Sequence, residues 1–278
     1  MILVQLTDPH VRPDGMAAYR VAETNMLAER AFRAVAKLDV KPDAVVISGD
    51  LTDNGTSSEY RVFADMLRRN LGHLPVYLIP GNHDHRETMR AELADWPGIT
   101  RHASLVQYVI DDFPVRLVML DTVVPHAGHG ELEPESLAWL DATLAAQSAK
   151  PTVVVMHHPP FLCGIADLDR ISLRGASAFA AVIAKHPQVE RILCGHHHRA
   201  ITARVGGTIA SVSPSVAHQT ELELRPDRKV FVVLEPPAFQ IHIWTPRSGI
   251  VSHTTYVESY PGPFPAVLEP EYPGRAPQ

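Results

Sequence analysis

The chain has only two cysteines, Cys163 and Cys194, in 278 residues, too few for a disulfide framework. A reduced, cytoplasmic setting is the expectation that follows. No apolar run approaches the ~20 residues a membrane span requires, so no membrane role is expected. The opening MILVQLTDPH lacks a basic stretch and a cleavage site, and is expected to be a first strand rather than a secretory signal. Basic charge is also short: 25 Lys and Arg against 31 Asp and Glu leave a net charge of −6. That balance argues against a long nucleic-acid backbone as the main partner. Internal repeats and low-complexity tracts are missing. Apolar residues make up 45% and charged residues 20%, as in soluble globular proteins. Histidine is the anomaly, with sixteen copies.

Up to about residue 200, short apolar runs alternate with helical patterns. Ile2–Leu6, Ala44–Ser48, Val76–Ile79, Val106–Ile110, Leu117–Leu120, Thr152–Met156 and Arg191–Cys194 read as buried strands. Leu27, Ala31, Ala34, Val35 and Leu38 lie at helical spacing. Thr56 and Glu59 form a capping box that opens a helix to about residue 70. Pro134 suits the first turn of a helix carrying Leu137, Leu140 and Leu144. Alternation of this kind means an α/β architecture. After His198 the helices stop, and Thr208–Ser213, Lys229–Glu235, Phe239–Thr245 and Val251–Val257 predict a further, mainly antiparallel sheet. Six prolines among residues 261–278 predict an extended arm. We divide the chain into a main domain, 1–257, and a Pro-rich arm, 258–278.

The chemistry collects at strand ends. Successive strands run into Asp8–Pro9–His10, Gly49–Asp50, Gly81–Asn82–His83–Asp84, His157–His158 and Gly195–His196–His197–His198. The carboxyl ends of parallel strands are where α/β proteins bind ligands. One such residue is more often a cap or a packed histidine; five strands that each deliver Asp, Asn or His are not explained by capping. Asp8 and His10 can grip one ion from one side, and His198 completes its shell. Asp50 has two oxygens and can bridge two ions, while Asn82, His157 and His196 serve the second. This count suits two divalent cations ~3.5–4 Å apart. Nitrogen and oxygen donors without thiolate suit iron, manganese, zinc or cobalt.

These blocks, in this order, resemble the signature of the calcineurin-like metallophosphoesterase superfamily over roughly residues 1–200. GDLTDNG, YLIPGNHD and MHHPPF are most similar to class III cyclic nucleotide phosphodiesterases and bacterial glycerophosphodiesterases. The resemblance implies a four-layer αββα sandwich of two mixed sheets flanked by helices, and homo-oligomers built through C-terminal elements. It places one metal site on Asp8, His10, Asp50 and His198, and the other on Asp50, Asn82, His157 and His196. Asn82 falls where the family contacts phosphate, and His83 on its leaving-group-side histidine. The implied reaction is hydrolysis of a small phosphodiester, such as cyclic AMP or a glycerophosphodiester, by a metal-activated hydroxide.

Other residues receive roles by position. Asp53, three beyond Asp50, is the candidate to orient His83, against a plain turn residue in Asp53–Asn54–Gly55. His218 and Tyr19 are candidate substrate neighbours, set against a satisfied strand-end histidine and a partly buried tyrosine. His158 is expected to shape the loop behind His157, and His197 to be exposed rather than ligating. His73, His102, His126, His129, His186, His242 and His253 are expected at the surface. Arg86 and Arg199 follow the motif loops and are expected to point to solvent. The alternatives are a phosphomonoesterase or protein phosphatase using the same ligands, a non-catalytic scaffold, and a nuclease. The intact ligand set disfavours the scaffold, and the acidic balance disfavours the nuclease.

Overall fold

Each apolar run expected as a strand before residue 200 contains one, since β-branched runs of this length are stable when both faces are covered. The computed structural model describes residues 1–269 and 271–274. It begins β1 (Ile2–Leu6), α1 (Thr24–Ala36), β2 (Ala44–Ser48), α2 (Ser57–Leu71), β3 (Val76–Ile79), α3 (Arg86–Glu92). Next come β4 (Tyr108–Ile110), β5 (Arg116–Met119), α4 (Pro134–Ala145), β6 (Thr152–Val155), α5 (Ala166–Asp169), α6 (Ala176–Ile183) and β7 (Val189–Cys194). The helix-free remainder holds β8 (Ile201–Val205), β9 (Thr208–Val212), β10 (Gln219–Thr220), β11 (Val232–Val233), β12 (Ala238–Thr245) and β13 (Gly249–Tyr256).

Two large mixed sheets result, in the orders β13-β12-β1-β2-β3 and β4-β5-β6-β7-β9-β8. Alternation along β6 shows how they stack. Val153 and Val155 join the core shared with β1, β2 and β3, whereas Val154 and Met156 join the core under α4 and α6. Period-2 side chains thus face the other sheet on one side and helices on the other. On the first sheet's outer face, α1 and α2 bury Phe32 and Phe63, whose rings meet edge to face at 6.3 Å. The capping box at Thr56 and Glu59 opens α2 as expected. The architecture is the αββα sandwich.

The last third departs from expectation. The only separate antiparallel sheet there among the described residues is the two-stranded pair of β10 and β11. Otherwise β12 pairs antiparallel with β1, and β9 pairs parallel with β7. Exposed sheet edges offer unpaired backbone groups, and these strands saturate them. The expected strand at 229–235 shrinks to Val232–Val233, paired only with β10. Strand β8 was not anticipated, although ITARV-GG-TIASV carries a hairpin's glycine turn. Residues 257–269 contain neither helix nor strand, as the arm predicts; residue 270 and residues 275–278 of that arm lie outside the described residues.

In-register parallel pairing sets the site. Leu6 is opposite Ile47 and Ser48 opposite Ile79, while Met119, Val155 and Leu193 lie level in the second sheet. The carboxyl ends therefore form two level edges. Gln5 ties them together, its Nε2 donating to Ser48 Oγ and Cys194 O, both at 2.9 Å.

His242 lies in this interior, 2% exposed, rather than at the surface. The Ser252 hydroxyl pairs with its Nδ1 at 2.8 Å, and Nε2–H reaches Gln5 Oε1 at 3.3 Å. The neutral Nε2–H ring makes both bonds, with the Ser252 hydroxyl donating to Nδ1. Burial, helped by the Arg191 charge, pushes the imidazole down to about 3. The unfolded chain takes up this proton below its usual ~6.5 and the folded chain does not, so stability falls as pH drops from ~6.5 towards 3. By pH 5 the loss from this residue is about 2 kcal/mol. Urea unfolding at pH 7.5 and pH 5 should show His242→Gln losing that much less than wild type. An equal loss would mean that folded His242 accepts the proton.

Candidate metal centre

Strand ends alone do not aim side chains at one point; the backbone beyond them does. Asp8, His10, Asp50, His196 and His198 all have left-handed backbone, with φ of 53, 44, 47, 74 and 52°. Non-glycine residues adopt this conformation at a cost, and such strain clusters at functional sites. The loops after β1 and β2 hold it by continuing the ladder, with His10 N donating to Asp50 O and Val11 N to Leu51 O. Gly81 and Gly195 permit the close approach, since a Cβ at Gly81 would collide with the Asp50 carboxylate and one at Gly195 with the Thr7 hydroxyl.

The result is a buried cluster of Asp8, His10, Asp50 and His198 whose donor atoms all lie within 4.8 Å of one another. Next to it His157 Nε2 lies 3.4 Å from Asp50 Oδ2 and 3.1 Å from Asn82 Oδ1. Asp50 thus faces both groups, the same oxygen lying 3.6 Å from His10 Nε2. The structure brings together the expected ligands Asp8, His10, Asp50, Asn82, His157 and His198. His196 packs against His157, ring centroids 5.0 Å apart.

Each imidazole is turned inward by a bond on its far nitrogen. His157 Nδ1 donates to Ser48 O at 2.8 Å, and His198 Nδ1 to His218 O at 2.9 Å. His10 Nδ1 donates to Asp53 Oδ1 at 3.2 Å, and His196 Nε2 to Ile171 O at 3.0 Å. Fixing one nitrogen as N–H leaves a lone pair on the other. His10 Nε2 then faces His198 Nε2 at 3.2 Å, lone pair to lone pair. His157 Nε2 likewise faces the Asn82 carbonyl. Such confrontations are repulsive unless positive charge lies between them. No Lys or Arg pairs with Asp8 or Asp50 among the described residues. In the cation-free chain a proton fills the role: burial works against charge on His157, yet the Asp50 carboxylate more than offsets it, pushing the ring up to about 9. The donor set therefore fits divalent cations, which would displace that proton.

The profile of calcineurin-like phosphoesterases matches residues 1–200. The chain belongs to that family. It is 37% identical over 268 residues to a probable glycerophosphodiester phosphodiesterase of Arcobacter nitrofigilis, covering 95% of this chain and 96% of the relative. It is 30% identical over 217 residues to the 3′,5′-cyclic AMP phosphodiesterase of Escherichia coli, covering 78% and 76%. A dimetal phosphatase from Danio rerio shares the fold, with a TM-score of 0.60 over 93% of this chain and 99% of that one, at 16% identity. The centre of this metallophosphoesterase is a dinuclear divalent one.

Several expected placements change. Asp53 does not direct its carboxylate mainly at His83. The carboxylate pairs with His10 and with Arg12, at 3.2 and 3.1 Å, while the Asp53 main-chain oxygen accepts from His83 Nδ1 at 2.8 Å. Three-residue spacing could not separate those two roles. His197 is fully buried, not exposed, with Nε2 3.3 Å from Ser172 Oγ; burial pushes it down to about 4. His186 is buried too, against Asp141 at 2.6 Å. Tyr19 is 54% exposed rather than partly buried, its ring 5.2 Å from that of His218. The His218 ring packs 4.6 Å from that of His198 and 5.1 Å from that of His10, and is buried. Arg86 does not point to solvent but forms a two-point ion pair with buried Asp121, at 2.6 and 2.9 Å.

The sequence reading missed Asp84. Its carboxylate accepts from Leu51 N, Thr52 N, Thr52 Oγ1, Gly81 N and Tyr60 Oη. One buried side chain thus locks the β2 and β3 loops together. Burial and the Asp50 charge push its carboxyl up to about 6, leaving it ionised at neutral pH. Its place in Gly81–Asn82–His83–Asp84 was the available signal.

Because Asp50 faces both ligand groups, Asp50→Ala should lose more metal after dialysis than a change at any one-sided ligand. Two ions retained in that variant would remove the bridging assignment. Asp53→Asn should weaken metal retention by ~10–100-fold, as expected for a lost carboxylate behind a ligating histidine. Elemental analysis after graded chelator competition measures both.

Proposed function

We propose that this metallophosphoesterase hydrolyses small phosphodiesters at two divalent cations held by Asp8, His10, Asp50 and His198 on one side and by Asp50, Asn82, His157 and His196 on the other. The observation that carries the reading is the set of inward lone pairs, each fixed by a bond on the far nitrogen. Cations bound there supply Lewis acidity at phosphoryl oxygens and acidify water. Iron, manganese, zinc and cobalt all suit these donors.

The remaining chemistry belongs to side chains beside the cluster. His83 lies at the edge, 30% exposed, where a substrate can reach it. Its Nδ1–H is held by Asp53 O, which points Nε2 at the cleft. Burial disfavours charge on this ring, but the Asp50 carboxylate and the Asp53 carbonyl and carboxylate outweigh it and raise its affinity for a proton. His83 can therefore hand a proton to the departing alkoxide. The Asn82 amide can donate to a phosphate oxygen.

Charge separates diesters from monoesters. A monoester dianion is usually met by Arg or Lys on its terminal oxygens. The nearby arginines are committed elsewhere: Arg12 to Asp53 and Glu59, Arg86 to Asp121, Arg199 to Glu235. A singly charged diester needs no such partner. The two relatives, one named for glycerophosphodiesters and one for cyclic AMP, agree with that class.

Self-association through C-terminal elements completes the reading, with the arm of residues 258–278 outside a catalytic unit of 1–257. Phe231, Phe264 and Val267 are 65, 77 and 84% exposed, large apolar groups suited to a second copy. The cytoplasm is the proposed setting, and both cysteines are free thiols.

Metal-loaded protein should cleave bis(p-nitrophenyl) phosphate and cyclic nucleotides with higher kcat/KM than p-nitrophenyl phosphate; a clear monoester preference would overturn the diester reading. His83→Ala should keep its metals and lose ~10²–10⁴-fold in turnover, less for p-nitrophenol esters than for alkyl esters. An equal loss for both would assign His83 to phosphate positioning instead.

A further inference from the structure

Each imidazole of the cluster has one nitrogen held from behind and the other left bare. One more ring shows that pattern. His158 Nδ1 lies 2.8 Å from Thr122 Oγ1, while its Nε2 is buried without any hydrogen-bond partner. A buried polar atom left unpaired is costly. Complete burial does not set His158 apart from a ligand, since His157 and Asp8 are as deeply enclosed.

Backbone fixes where this ring sits. Gly130 lies so close behind it that a Cβ there would come within 2.4 Å of His158 Cγ. Gly130 is itself bridged to Val123 and to Leu173. So placed, His158 closes a triangle with two residues of the second metal site. Its ring centroid is 4.9 Å from that of His157 and 4.6 Å from that of His196, and those two are 5.0 Å apart. One nitrogen from each of the three rings lies within 4.8 Å of the others. His157 Nδ1 and His196 Nε2 are taken by Ser48 O and Ile171 O. The Thr122 hydroxyl can donate or accept, so a cation at His158 Nε2 selects the tautomer that gives Nδ1–H to Thr122.

Resting on the two-cation reading, we propose that His158 Nε2 is a further ligand of the second ion. That ion then meets three imidazoles, the Asn82 carbonyl and the shared Asp50 carboxylate. The first ion meets two imidazoles and two carboxylates, from Asp8 and Asp50. Imidazole suits zinc, iron and nickel, whereas carboxylate suits manganese and magnesium. The two positions therefore differ in kind, and the second holds zinc over manganese more strongly than the first does.

The first test reads the nitrogen directly, in the whole chain carrying ¹⁵N-labelled histidine. Bare, protonated and metal-bound ring nitrogens resonate separately, and through-bond correlations assign His158 without any variant having to fold. Zinc loading should move His158 Nε2 to the metal-bound position. A bare or protonated Nε2 in protein that holds two zinc ions would overturn the proposal and leave the two-cation reading standing. Fewer than two zinc ions per chain would overturn the two-cation reading instead, and the His158 signal would still decide whether Nε2 takes an ion.

The second test is elemental analysis after dialysis against zinc and manganese together. In His158→Gln the zinc-over-manganese preference of one ion should fall by about tenfold or more, a scale reached even by losing a partner behind a ligand. Thr122→Val keeps the ring and removes the bond on Nδ1, and should shift the same ion in the same direction. A preference unchanged in both variants would overturn the assignment.

Discussion

Everything around the centre follows from one unfavourable arrangement: imidazole lone pairs and carboxylate oxygens pointed at each other in a buried space. His10 Nε2 and His198 Nε2 stand 3.2 Å apart with both Nδ1 atoms occupied elsewhere. Left free, these rings would rotate away. They are prevented by acceptors behind them, namely Ser48 O, His218 O, Ile171 O and the Asp53 carboxylate. Three of those four are main-chain carbonyls, whose positions are set by strands and loops rather than by rotamers. Ring orientation is thus built into the backbone, which makes the site preorganised for cations rather than gathered by them.

Holding the acceptors in place needs the two sheets to stay in register at their carboxyl edges. Gln5 bridges β2 and β7 just below the ligands, and His242 braces Gln5 from β12. Asp84 does the same for the β2 and β3 loops from above. The left-handed residues on these loops would relax to extended backbone if the braces failed. The late strand β12, far along the chain from the motifs, is part of the metal site's foundation.

This explains which features could be read from residues alone. Strand ends that each carry Asp, Asn or His are local, so the candidate ligands at 8, 10, 50, 82, 157, 196 and 198 were legible together with the strands that deliver them. The capping box at Thr56 was local as well. His197, His186 and His242 were misplaced because burial depends on what packs over a residue: the Ser172 loop, Asp141 on α4, and strand β13 respectively. The sheet assignment of the last third failed for a related reason. Alternation reveals a strand but not which open edge it will join, and β12 found β1 across most of the chain. Asp53 was legible as a partner of a histidine; that its side chain and its carbonyl serve different histidines was not.

Charge then divides the labour between centre and surroundings. Each arginine near the cluster is held by an acid, so none is left to grip a terminal phosphate oxygen. The cluster recognises what all phosphodiesters share, a singly charged phosphorus centre, and has no group with which to read the alcohols. Discrimination must come from the walls beyond His83. Those walls are made by the α3 start, the segments flanking β4, and the loops after β5 and before α4. Apart from Thr122 behind His158, none of these segments carries a residue that turns a ligating imidazole or locks Asp84, so they can change without disturbing the centre. A fixed edge of two sheets for bond breaking, beside a separately built wall for the alcohol, is what lets one ligand set serve diesters of different shape.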